Sequence, residues 1–147
     1  MQPDRLHVLR QWIAKAEDDL SAAEQLLKLG ADGPLDAICF HAQQCVEKYI
    51  KAVLTSHAID VPRIHDIADL VSRMPQPQVL GLEVAEQRRL TDYATVTRYP
   101  GDYDPITLEE AARAVAMAHG VHRRLRELLD SDFRCEPRSV DEPTGGG

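Results

Sequence analysis

Arg98, Tyr99, Asp102, Tyr103 and Asp104 crowd into the stretch "VTRYPGDYDP", residues 96–105, with two prolines and a glycine between them. An arginine presents a planar fork of donors that matches phosphate oxygens, and tyrosine rings stack on nucleobases. Arg98, Tyr99 and Tyr103 are therefore the candidate contacts for a nucleotide or RNA. For phosphodiester cleavage the candidates are Arg98 with Tyr103 or Asp102. Such cleavage needs a group that exchanges protons near neutral pH. Histidine does so with an ordinary pKa of about 6.5, whereas tyrosine sits near 10. The stretch also reads as a plain helix end: Pro100 turns Tyr99 out of helical geometry, and Gly101-Asp102 makes a turn.

Amphipathic helices must position these residues. Leu9, Trp12, Ile13, Ala16, Leu20, Ala23 and Leu27 keep three/four spacing up to a stop at Gly30. A second helix is expected from about Pro34 to His57. Leu35, Ile38, Cys39, Ala42, Cys45, Val46, Tyr49, Ile50 and Val53 lie on one face of it. Its opposite face holds Phe40, Gln44, Glu47 and Lys51. Phe40, Gln44 and Glu47 are the expected contacts with a partner, and Lys48 and Lys51 the expected basic contacts with a nucleotide or RNA.

A short helix is expected from Asp66 to Met74, with His65 helping to cap it, and a less regular one from Val79 to Thr97. In the last helix Thr107 and Glu110 form a capping box. Leu108, Ala111, Ala112, Val115, Ala118, His122, Leu125 and Leu129 share its apolar face, with Gly120 a small cost within it. No strand pattern occurs. The expectation is an all-α, up-and-down bundle of four longer helices plus one short helix over residues 1–130, with a disordered tail over 131–147.

Composition narrows the function classes. The net charge of −7 argues against a broad phosphate-binding surface but leaves room for a local one. Three cysteines without a CxxC pair argue against a disulfide framework or a zinc site. His119 and His122 have metal-ligand spacing but no evident third ligand, so no metal and no cofactor is expected. No apolar run is long enough to span a membrane, and no signal peptide is evident, which makes the cytoplasm the expected location.

The segments "FHAQQCVEKYIKAVL", "HDIADLV" and "LTDYATVTRYP", followed by "ITLEEAARAVAMA", resemble in order and spacing the HEPN family of small helical domains. The resemblance spans about residues 8–129. It implies a helical bundle that forms a homodimer. It also implies a partner, a minimal nucleotidyltransferase, in a toxin–antitoxin or related two-component system. Toxin members are metal-independent endoribonucleases whose motif is an arginine followed, after four to six residues, by a histidine. Arg98 matches that arginine. The histidine positions hold Tyr103, Asp104 and Pro105. Members without the motif bind nucleotides or assist a partner enzyme, and this chain is expected to be such a binding or regulatory module. The alternatives are an atypical endoribonuclease and a purely structural dimerisation module.

Overall fold

A computed structural model of the chain describes residues 2–95, 101 and 104–134. It shows five helices, α1 (Pro3–Leu27), α2 (Leu35–Ser56), α3 (Ile67–Ser72), α4 (Val84–Thr95) and α5 (Leu108–Arg134), with no strand among the described residues. Two single turns of 3₁₀ helix, Gly30–Asp32 and Pro77–Leu80, lie in the connections. No described helix is long and apolar enough to cross a membrane. α5 runs to Arg134, beyond the expected end near Leu129, and residues 135–147 of the expected tail lie outside the described residues.

α2 is the centre of the bundle. It packs against α1, α3, α4 and α5, and Ile38, Ala42, Val46, Tyr49, Ile50 and Leu54 on it are fully enclosed. Each such aliphatic side chain contributes roughly 1.5–3 kcal/mol when taken out of water. A helix enclosed by four others keeps little of a solvent face, which overturns one sequence expectation. Glu47 and Lys51, expected on an outer polar face, are 3% and 5% exposed.

Local signals set the helix ends. Pro3 opens α1, and Gly30 takes φ +72° soon after α1 ends. Asp66 caps α3 by accepting from the Asp69 N–H at 3.0 Å, so the cap is Asp66 and not His65. α4 starts at Val84 and not at Val79, because Gly81, at φ +68°, breaks the chain between the Pro77–Leu80 turn and the helix. The Thr107 hydroxyl accepts from the Glu110 N–H at 3.1 Å, the first half of the expected capping box. The Glu110 carboxylate turns towards Tyr93 instead, where it accepts from the hydroxyl at 2.7 Å.

The core row of α5 is Ala111, Ala114, Val115, Ala118, Val121, Leu125 and Leu129. Leu108 and Ala112, expected in that row, are exposed. The helix is rotated a few tens of degrees from the expected register, because α2 is its main neighbour and α4 stands apart from it. α4 runs antiparallel to α5, with Tyr93 near Glu110 at one end and Leu80 near Arg124 at the other. The open space between these two helices forms a groove.

Candidate functional site

Arg98, Tyr99, Asp102 and Tyr103 lie outside the described residues. The described site is what flanks them: the end of α4, the start of α5 and the groove between. The groove has a volume of about 720 Å³. Arg89, Tyr93, Glu110 and Arg113 line the end nearest the 96–105 stretch. Ala116 and Met117 form its middle, and Gly81, Gly120, Arg123 and Arg124 line the far end.

Charge in the groove is unevenly compensated. Arg89 lies 3.5 Å from Glu110, whose carboxylate also accepts from Tyr93. Glu86 accepts from the Glu83 N–H at 3.0 Å as the cap of α4. Two of the three carboxylates that line the groove are thus engaged by its own walls. Among the described residues, no carboxylate oxygen lies within ion-pair distance of Arg113, Arg123 or Arg124. One face of α5 therefore offers three guanidinium groups to the groove. In a chain of net charge −7 that is a local basic site, not a basic surface.

Burial, and then the hydrogen bond to Glu110, pushes the Tyr93 hydroxyl well above the ordinary tyrosine range. Tyr93 consequently stays a neutral donor at any physiological pH, and it holds Glu110 against the α4 wall.

The remaining predicted residues lie elsewhere. Lys48 is tied to Asp19 of α1, which also meets His41 Nδ1 at 2.9 Å, so its charge is already matched. Lys51 Nζ donates to Glu47 Oε2 at 3.2 Å and lies 5.6 Å from the centre of the Trp12 ring. Neither lysine lines the groove. Lys51 is corrected from a ligand contact to a buried partner of Glu47, and Glu47 from an interface residue to the hub of a buried network. Its carboxylate takes Lys51, His65 Nδ1 at 2.6 Å and Gln43 Nε2 at 3.3 Å. Gln43 Nε2 also reaches the His65 carbonyl at 3.2 Å, which ties the connection before α3 to α2.

Gln44 is half-buried and donates to Gln43 at 2.7 Å. Phe40 is 41% exposed, as expected of an aromatic on a polar face, with the His41 ring edge-on at 5.7 Å. His119 faces Glu24, a carboxylate that sequence spacing did not place beside it. His122 Nδ1 lies 2.6 Å from the Tyr49 hydroxyl. No group of three metal-ligating side chains occurs among the described residues.

A model of the HEPN domain matches residues 9–128 of this sequence. The chain belongs to the HEPN family. Among solved structures it is similar to ST0689, an archaeal HEPN homologue. Identity is 25%, with 82% of this chain and 97% of that chain covered, and the TM-score is 0.64. A comparison with curated proteins returns no match. The HEPN bundle here thus carries the expected helices in the expected order, and its groove lies between α4 and α5, the two helices that the 96–105 stretch joins in sequence.

Three acids of this HEPN domain, Cys45 and Tyr49 enclosed in the core and Tyr93 half-buried, are expected to make its stability fall at alkaline pH. Burial first, and Asp19 second, raises the Cys45 thiol above its ordinary 9.0. Burial and then Glu17 raises Tyr49 above 10.0. Tyr93 is raised as described. A raised acid remains protonated in the fold while the unfolded chain ionises above its ordinary value. The unfolded state then binds fewer protons, and stability drops by up to about 1.4 kcal/mol per pH unit for each enclosed group and by less for the half-exposed Tyr93, which solvent screens. Stability is expected to be flat with respect to these groups below about pH 8.5 and to fall steeply above pH 10. Melting curves at pH 8 and 10.5 check this. Equal melting temperatures would show that the three groups ionise in the fold.

Proposed function

We propose that this HEPN protein is a binding and regulatory subunit. It forms a homodimer and works with a nucleotidyltransferase partner in a toxin–antitoxin-like pair in the cytoplasm. It binds nucleotide or RNA in the α4–α5 groove, together with Arg98, Tyr99 and Tyr103 of the stretch that joins these helices in sequence. The observation that carries this reading is the row Arg113, Arg123 and Arg124, three guanidinium groups without a carboxylate partner among the described residues, lining a groove of about 720 Å³ that also contains an aromatic side chain, Tyr93. Forks of this kind match phosphate, and aromatic surfaces accept bases. Tyr103 in place of the motif histidine favours binding over cutting, since an ordinary tyrosine is a poor proton acceptor at pH 7.

The test is an equilibrium titration of labelled single-stranded RNA and of ATP against the wild type and Arg98→Ala, with the RNA examined afterwards for cleavage. The expected result is binding that Arg98→Ala weakens by about tenfold, the scale of one charge-assisted phosphate contact, with the RNA intact. Metal-free cleavage that Arg98→Ala abolishes would replace this reading with an endoribonuclease using Arg98 and Tyr103 or Asp102. If neither ligand binds while light scattering shows a dimer, the chain is a dimerisation module. A monomer at micromolar concentration removes the paired site.

A further inference from the structure

Gly120 lies in the middle of α5, where glycine is disfavoured by about 1 kcal/mol relative to alanine. Gly81 lies in the left-handed region at φ +68°, in the connection that leads into α4. The two glycines come from different elements yet face the same group. A Cβ on Gly81 would sit 2.6 Å from Arg124 Cζ, and a Cβ on Gly120 would sit 2.9 Å from Arg124 Nη1. The guanidinium thus fills a slot that is open because both residues lack side chains.

Anchoring the connection to α5 does not account for an arginine here. The one hydrogen bond that Arg124 makes among the described residues runs from Nη1 to the Leu80 carbonyl at 3.4 Å, near the limit for such a bond. A guanidinium has five N–H donors in a fixed plane. Among the described residues the other donors have no protein partner and no carboxylate lies within ion-pair distance, and the exposed Arg124 side chain lines the groove. A flat fork held against backbone, with its charge unmatched, is the arrangement that receives two oxygens of a phosphate.

We propose that Arg124, seated between Gly81 and Gly120, is a phosphate subsite at the far end of the α4–α5 groove. The proposal rests on the nucleotide or RNA reading above and fixes the length of the ligand. Arg113 and Arg124 are eleven positions apart on one helix (124 − 113 = 11). At 1.5 Å per residue their backbones are about 16 Å apart. A stacked strand advances about 3.4 Å per phosphate, so about five nucleotides bridge the two arginines. A mononucleotide occupies one end only.

The experiment titrates fluorescein-labelled single-stranded RNAs of two and six nucleotides, with ATP in parallel, at several salt concentrations. The proteins are the full-length wild type, Arg124→Gln and Arg124→Lys. Arg124→Gln leaves a shorter, uncharged polar side chain at the slot, and Arg124→Lys keeps the charge without the fork. The expected result is about tenfold weaker binding of the six-nucleotide RNA by Arg124→Gln. Its log–log salt slope becomes shallower by about 0.7, the value of one phosphate contact on a single strand. Arg124→Lys keeps the wild-type slope, and the two-nucleotide RNA and ATP bind all three proteins alike. Unchanged affinity and slope for the six-nucleotide RNA with Arg124→Gln overturn the subsite and leave the groove reading standing. Equal losses for both RNA lengths overturn the spanning geometry. A wild type that binds none of the three ligands overturns the groove reading, and the subsite with it.

Discussion

Glu47→Ala is expected to destabilise the bundle by about 3–5 kcal/mol, the usual cost of removing one partner of a buried ion pair. For a chain of this size that is a fall of about 10–15 °C in melting temperature. Glu47 is 3% exposed, and Lys51, 3.2 Å away on the next turn, is 5% exposed. Alanine would leave the ammonium group enclosed by protein, with the Trp12 ring nearby and no counter-charge in its place. His65 and Gln43 would each lose an acceptor, and the connection before α3 would lose one of its ties to α2. The double variant Glu47→Leu/Lys51→Met should recover most of the loss, because replacing both charges by apolar groups of similar volume is often neutral or favourable. Thermal and urea unfolding followed by circular dichroism measure both. A loss below about 1 kcal/mol for Glu47→Ala would show that water reaches Lys51 and that the network is a surface feature.

The same pair shows why part of the fold could be read in the sequence and part could not. The apolar spacing of α1, α2 and α5 follows from local pattern, and those helices occur where the pattern puts them. Spacing also divides α2 into an apolar and a polar face, but it does not say how many neighbours the helix has. α2 is central, so the polar stripe Gln43, Glu47 and Lys51 is covered by the connection before α3 and by Trp12 of α1. Only Phe40, nearer the start of α2, keeps the exposure that the pattern implies. A buried ion pair at i,i+4 on a helix has the same sequence as a solvated one. What separates them is tertiary contact, which no single helix encodes.

The site was legible to a different degree. Arg98, Tyr99, Asp102 and Tyr103 stand out by residue type and by family pattern, yet they lie outside the described residues. The groove between α4 and α5 was not expected, although its signal was present. Arg113, Met117, Gly120 and Arg124 keep three/four spacing along one face of α5. The apolar row gives the stronger periodicity, and by itself Gly120 is only a small cost within the helix. Gly81 falls inside the less regular helix expected from Val79 and gives no sign of its own there. Both glycines make sense only when Arg124 is placed between them, a relation between two elements 39 positions apart (120 − 81 = 39).

That second row supports the other large effect. Arg113→Glu/Arg123→Glu is expected to weaken RNA binding by at least about a hundredfold while leaving stability nearly unchanged. Both side chains are exposed, and neither pairs with a carboxylate among the described residues, so surface replacement alters folding by about 0.5 kcal/mol or less. Each reversal removes one favourable phosphate contact and adds a repulsive charge to a groove that already contains Glu83 and Glu110. At about 1.4 kcal/mol per tenfold, losing two charge-assisted contacts of about 1.5–3 kcal/mol each already exceeds a hundredfold, before repulsion is counted. The Glu47 variant should behave in the opposite way at temperatures where it remains folded, with the bundle weakened and the groove intact. Anisotropy titrations and melting curves on the two variants together separate the helical frame from the groove. If the double reversal binds RNA as the wild type does, the α5 arginines are solvated surface charge, and the ligand is held by the 96–105 stretch without them.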